Sequence, residues 1–198
     1  MTDRDFCEVY YKKRESTQSI KELRTEVLEQ AFFQSFGVTF SEQALRRESF
    51  GKPYYDFGQT QETCGYFNLS HTKEFVAVAC ASCEVGVDME FSRKVSEAAM
   101  RRSCTVQEYR TIMESNVPQR EFLKYWTLKE SYVKMKGEGM SVPFSEINFV
   151  IDKKEHGYEV RSNKRETFWI YEIEDGFLSV CLPHEKEIQK DFVKVIRL

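Results

Sequence analysis

FLKYWTLKESYVKMKG, residues 122–137, decides the fold, because it reads as a helix that is apolar on nearly every side and yet carries a carboxylate on an apolar stripe. On a 3.6-residue period Phe122, Leu123, Trp126 and Val133 share one face, while Tyr125, Leu128, Tyr132 and Met135 cover most of the rest. Such a helix lies inside the protein with other elements packed around it. Glu130 and Lys134 fall on the stripe of Trp126 and are neighbours about 5–6 Å apart along it. An ionised carboxylate there needs a partner, since burying it unpaired is costly. On the helix alone two readings meet that need: an i,i+4 ion pair at the margin of the core, and a ligand in a site.

Outward from this helix the chain is punctuated on both sides. Gly137 and Gly139 stop it, with Lys134 and Lys136 beside its C-terminal dipole. Asn116, Val117 and Pro118 break the chain ahead of it, and 91–118 predicts two short helices, Thr105 capping a turn that carries Glu108 and Tyr109. Further on the pattern turns to strands at 147–151, near 158–160, and at 167–173, 177–182 and 192–196. Glu174, Asp175 and Gly176 form a hairpin turn between two of them.

Upstream, residues 6–11 (FCEVYY) predict a first strand that ends in the basic cluster Lys12, Lys13 and Arg14. Ile20, Leu23, Val27, Leu28, Ala31, Phe32 and Phe36 recur at helical spacing, so 19–36 is an amphipathic helix, ended by Gly37, whose lysine and arginine face water or a ligand. A polar second helix is expected over 41–48 behind the cap residue Ser41. Gly51, Lys52 and Pro53 make a turn. Next comes a short strand running into a polar loop that carries Ser70 and His71, then FVAVACA (75–81), an apolar run suited to a strand buried on both faces.

VGVDME (85–90) is the second informative stretch. Val85, Val87 and Met89 alternate onto one face, leaving Gly86, Asp88 and Glu90 on the other. Two carboxylates about 6.5–7 Å apart along a strand can converge on one hard cation, and the adjacent glycine leaves room for a ligand. The plainer alternative is a half-exposed edge strand with two solvated acids. One internal echo is visible: FVAV (75–78) follows Phe67 by about eight residues, as FLSV (177–180) follows Trp169, and each half carries a leading helix. Two similar lobes sharing an interface would explain it.

Bulk properties remove several function classes. With 41% hydrophobic and 31% charged residues, 4 Pro and 9 Gly in 198, the chain is globular. A formal charge of −3 argues against general binding to nucleic-acid backbones but leaves room for a basic pocket holding one small phosphorylated ligand. The six cysteines are scattered, mostly within apolar patterns, as free thiols in a reducing compartment are; Cys80 and Cys83 form a lone C-x-x-C, a weak signal for zinc or redox chemistry. No apolar run reaches 18 residues and the N-terminus carries no signal region, so no membrane partner is expected and the chain reads as a soluble cytoplasmic protein.

Taken together, GKP (51–53), FNLSHT (67–72), GVDME (86–90), QEY (107–109) and WTLKESYVKMKGEG (126–139) stand in an order and spacing that closely resembles the long, pseudodimeric 4′-phosphopantetheinyl transferases. The resemblance spans roughly residues 19–182. It implies an α+β fold of two pseudo-symmetric lobes, 1–95 and 96–198, each a small, mostly antiparallel sheet packed with a long helix, with the active site in the cleft between them. It also implies transfer of 4′-phosphopantetheine from coenzyme A to a serine of an acyl or peptidyl carrier protein, releasing 3′,5′-ADP. Asp88, Glu90 and Glu130 would then surround a Mg²⁺, with Mn²⁺ as the alternative ion; magnesium takes oxygen ligands and shares phosphate oxygens with its substrate.

By the same resemblance Lys52, Pro53, Ser70 and His71 hold coenzyme A, and Lys134 offsets charge at the diphosphate. Glu130 is the favoured base for the serine hydroxyl, with Glu108 as the second candidate. Only about 20 residues precede the first matching helix, so Lys12, Lys13, Arg14 or Lys21 are the expected substitutes for basic residues that relatives place further upstream. A monomer is expected, because one chain holds both lobes. The competing expectation is a catalytically silent module that binds carrier proteins with the same fold.

Overall fold

The computed structural model describes residues 5–58, 65–184 and 192–198. Two sheets lie face to face, each covered on its outer side by a helix. The first has the order β11 (Val193–Arg197), β1 (Cys7–Lys13), β5 (Phe75–Ala81), β4 (Tyr66–His71); the second has β6 (Gly86–Glu90), β10 (Gly176–Leu182), β9 (Thr167–Ile173). β5 and β10 are buried along their whole length, which is why both are apolar without alternation. Ala77, Ala79 and Ala81 of β5 meet Val87, Met89, Leu178, Val180 and Leu182 in a core shared by the two sheets. The other face of β5, with Val76, Val78 and Cys80, packs on Leu23, Val27 and Phe32 of helix α1 (Ile20–Phe36).

Helix α4 (Pro118–Lys136) covers the outer face of the second sheet, where Phe122, Leu128 and Val133 meet Phe177, Cys181 and Ile170. Its residues are buried nearly all round, as their spacing predicts. It runs against β6 because Gly86 has no side chain: a Cβ there would lie 1.9 Å from the Ser131 carbonyl oxygen and 2.5 Å from the Met135 nitrogen. The glycine of GVDME therefore admits a helix backbone, not a ligand, and β6 is a buried strand rather than a half-exposed one. β5 lies against α1 and β10 lies against α4.

Hydrogen bonding crosses the 95/96 division twice, since β6 pairs with β10 and β11 returns to run parallel to β1. Short helices α2 (Glu97–Ser103) and α3 (Val106–Glu114) fill 91–118 as expected, and Glu174 and Asp175 form the β9–β10 turn. β7 (Phe149–Lys154) and β8 (Gly157–Ser162) pair as an antiparallel hairpin. One element differs from expectation. Over 41–48 there is a single 3-10 turn, Glu42–Ala44, then strand β2 (Leu45–Arg47) paired with β3 (Pro53–Tyr55). Tyr55 packs edge-to-face with Phe32, and this contact holds the hairpin to α1. Among the described residues no helix is long and apolar enough to cross a membrane.

Candidate active site

β4 and β6 are the facing edges of the two sheets, and a cavity of about 460 Å³ opens along the seam between them. Its floor is acidic: Asp88 and Glu90 come from β6, and Glu130 from α4. Strand alternation puts the two β6 acids on the face that α4 covers, so a residue of α4 is brought against them. Its walls are basic and apolar, with Lys134 and Trp126 from α4, Arg24 from α1, Arg47 and Pro53 from the β2–β3 hairpin, and His71 at the end of β4.

The backbone edge that β6 turns toward β4 is satisfied by side chains. Asn68 Oδ1 accepts from the Val87 amide at 3.0 Å, Ser70 Oγ accepts from the Met89 amide at 3.3 Å, and Lys134 Nζ donates to the Val87 carbonyl at 3.2 Å. Asp88 is held in the same web. Its Oδ1 accepts from Lys134 Nζ at 2.6 Å and Ser70 Oγ at 2.8 Å, while its Oδ2 is buried with no hydrogen-bond partner. The ion pair of Lys134 is thus made with Asp88 on the neighbouring β6, not with Glu130 four residues earlier on its own helix.

Burial pushes the Glu130 carboxyl up to about 7, and the charge of Asp88 adds to this, against the pull of Lys134. Burial followed by the charge of Asp88 also raises Glu90, opposed by Arg93, whose Nη2 lies 3.2 Å from Glu90 Oε1. Three carboxyl groups gathered in one cavity, two of them raised by burial and by the Asp88 charge, and an orphaned buried oxygen on Asp88, suit a hard divalent cation. Among the described residues, however, no three acidic, histidine or cysteine side chains stand close enough to form a finished metal set. The ammonium of Lys134 lies 2.6 Å from Asp88 Oδ1 and gives this buried carboxylate a partner of opposite charge.

The cleft gathers Asp88, Glu90, Glu130, Lys134, Pro53, Ser70 and His71 of the residues singled out in the sequence. Three others lie elsewhere. Lys52 points its ammonium away, to the Glu84 carboxylate and to the Met135 carbonyl at 2.8 Å; the β2–β3 register turns its neighbour Pro53 to the cleft instead. Lys21 is exposed on the first turn of α1. Glu108 is buried between α3, α4 and the start of β7. It closes a capping box with Thr105 at the start of α3, accepts from Lys129 Nζ at 2.5 Å, and accepts from the Phe149 amide at 2.8 Å. A capping box turns its acid back onto its own helix end, and that aims Glu108 away from the cleft.

Lys129 spends its remaining donors on the carbonyls of Ser103, at 2.9 Å, and Phe144, at 2.8 Å, so the pair joins α2, α3, α4 and the start of β7. Glu108→Ala strands a buried ammonium and is expected to destabilise the fold by roughly 3–5 kcal/mol in urea unfolding. A loss under 1 kcal/mol would contradict this structural role.

Arg24 and Arg47 were not singled out. Arg24 lies on the charged face of α1, which the helical period marks only as facing water or a ligand; its Nη2 is 3.1 Å from Glu42 Oε1 and its Nε is buried without a partner. Arg47 was hidden by reading 41–48 as a helix, whereas pairing opposite Pro53 puts it on the cleft wall. Other basic candidates are engaged elsewhere: Lys12 with Glu26, Lys13 with Glu174, and Arg14 with the carbonyls of Lys73 and Gln18.

The chain belongs to the 4′-phosphopantetheinyl transferase superfamily, whose pattern matches residues 84–189. It is 32% identical over 142 residues to the 4′-phosphopantetheinyl transferase gsp of Aneurinibacillus migulanus, covering 69% of this chain and 56% of that protein. It is 22% identical to the 4′-phosphopantetheinyl transferase Sfp of Bacillus subtilis strain 168, covering 91% of this chain and 80% of that one. Another Bacillus subtilis relative, the 4′-phosphopantetheinyl transferase ffp, is 26% identical over 188 residues, 90% of this chain and 79% of its own length. The α+β fold and the function class read from the sequence are those of this family.

Proposed function

We propose that this chain transfers 4′-phosphopantetheine from coenzyme A to a serine of an acyl or peptidyl carrier protein, with the reaction in the β4–β6 seam. The observation that carries the reading is the joint supply of Asp88, Glu90 and Glu130 to one cavity walled by Arg24, Arg47 and Lys134, in a chain of this family. Asp88, Glu90 and Glu130 would hold Mg²⁺ or Mn²⁺, which when bound supplies Lewis-acid charge to the diphosphate oxygens.

Arg24, Arg47 and His71 face the cavity where they can hold the phosphates of the nucleotide half, and Pro53 offers an apolar rest for its base. The carrier serine oxygen attacks the β-phosphorus of coenzyme A; the bond from that phosphorus to the bridging oxygen breaks, and 3′,5′-ADP leaves. The serine proton goes to Glu130, the carboxylate that α4 presents to the cavity. Lys134 offsets charge on the phosphoryl oxygens. A monomer is consistent with one chain supplying every wall of the cleft. A cytoplasmic location is consistent with Cys7, Cys80, Cys83, Cys104 and Cys181 standing outside any disulfide among the described residues; Cys64 lies outside the described residues.

The test is to incubate the purified chain with coenzyme A, Mg²⁺ and several apo carrier proteins, and to weigh the carriers. A gain of one phosphopantetheine group supports the reading, and no gain on any carrier by a folded sample overturns it. Arg47→Ala removes one charge-assisted phosphate contact and should raise KM for coenzyme A about tenfold with little change in kcat. An unchanged KM would remove Arg47 from the binding wall.

A further inference from the structure

Resting on that reading, we propose that Ser70, together with Asn68, is a positioning clamp across the seam that aims Asp88, and that Ser70 does not bind coenzyme A. A serine hydroxyl has one proton to donate. Here that proton goes to Asp88 Oδ1, at 2.8 Å, while the oxygen accepts from the Met89 amide. Ser70 therefore has no donor left for a phosphate unless it lets go of Asp88. Its side chain is buried on the β6 side of β4, next to Asn68, which takes the Val87 amide two residues earlier on β6.

These contacts do two things at once. They satisfy backbone donors on the open edge of β6, which a buried strand cannot leave bare. They also fix the Asp88 carboxylate in one rotation. With Ser70 and Lys134 both on Oδ1, the second oxygen is presented alone, buried and unpartnered. An oxygen held in that way costs little to reorganise when it meets a cation. Within β4 (Tyr66–His71) alternation puts Asn68 and Ser70 on one face, and the tertiary fold brings that face to β6.

The two possible roles of Ser70 separate by measurement. Ser70→Ala and the near-isosteric Ser70→Cys, which keeps a weak donor, are compared with wild type in three assays: the Mg²⁺ dependence of transfer, direct Mn²⁺ binding followed by electron paramagnetic resonance, and 3′,5′-ADP affinity by calorimetry without metal. For Ser70→Ala the clamp role requires a Mn²⁺ dissociation constant and a half-saturating Mg²⁺ concentration raised about tenfold, with 3′,5′-ADP affinity within twofold of wild type. Ser70→Cys should fall between, and Ser70→Thr, which restores the hydroxyl, should recover metal affinity. If Ser70→Ala does not fold, Ser70→Cys and Ser70→Thr carry the comparison.

A tenfold loss of 3′,5′-ADP affinity with unchanged metal binding overturns the clamp in favour of a ligand contact. Wild-type protein that binds no Mn²⁺ overturns it as well. Failure of transfer by wild type that still binds Mn²⁺ and 3′,5′-ADP counts against the proposed reaction, while the metal and nucleotide assays still decide the role of Ser70.

Discussion

Glu130→Gln is expected to lower phosphopantetheine transfer by about 10³-fold or more while making the protein more stable at pH 8. The first effect follows because the amide accepts no proton from the serine and loses the negative charge that the acidic floor offers a cation. The second follows from burial. In the folded chain Glu130 keeps its proton up to about pH 7, against an ordinary value of 4.5. Folding therefore takes up a proton between those values, and the stability this brings is whole below about pH 4.5 and lost as pH rises through 7. Glutamine imitates the protonated side chain at every pH.

The variant should thus gain on the order of 2 kcal/mol over wild type at pH 8, after discounting for screening at the cleft mouth, and nothing near pH 4.5. Urea midpoints for both proteins across this range check it. A variant with near-normal transfer would remove Glu130 from the chemistry. A stability gain that did not depend on pH would show that its carboxyl is not held up by burial.

Gly86→Ala is the second large effect, and it acts on the fold rather than on chemistry. The added methyl would sit 1.9 Å from the carbonyl oxygen of Ser131 and 2.5 Å from the nitrogen of Met135, both in the backbone of α4. Neither atom can turn aside as a flexible side chain would, so the helix and β6 must part. The expected loss exceeds about 3 kcal/mol, a large share of the stability of an ordinary domain. Separation of α4 from β6 would also pull Glu130 and Lys134 away from Asp88 and Glu90, so whatever protein folds should transfer poorly. A urea midpoint equal to that of wild type would mean that α4 does not need this close approach.

Much of the molecule was legible as sequence because local pattern reports burial directly. The all-round apolar helix, the unbroken apolar runs of β5 and β10 and the alternation of VGVDME each fixed an element and the face it shows. Motif order carried the family, and with it Asp88, Glu90, Glu130 and Lys134, all of which line one cleft. The reading failed where a residue's direction depends on a partner far along the chain. Glu108 sits in a motif, but its capping geometry and Lys129 hold it between α3, α4 and the start of β7. Lys52 follows a glycine turn whose hairpin register sends its side chain to Glu84, and the same register brings Arg47 to the cleft.

What the sequence determined by itself was which segments are buried and which acids share a face, because those follow from periods of 3.6 and 2 along the chain. Which of these faces meet was decided only by the tertiary structure. The seam exists because β4 and β6 end their respective sheets side by side, Lys134 finds Asp88 rather than Glu130 because β6 runs under α4, and Gly86 allows that approach by having no side chain.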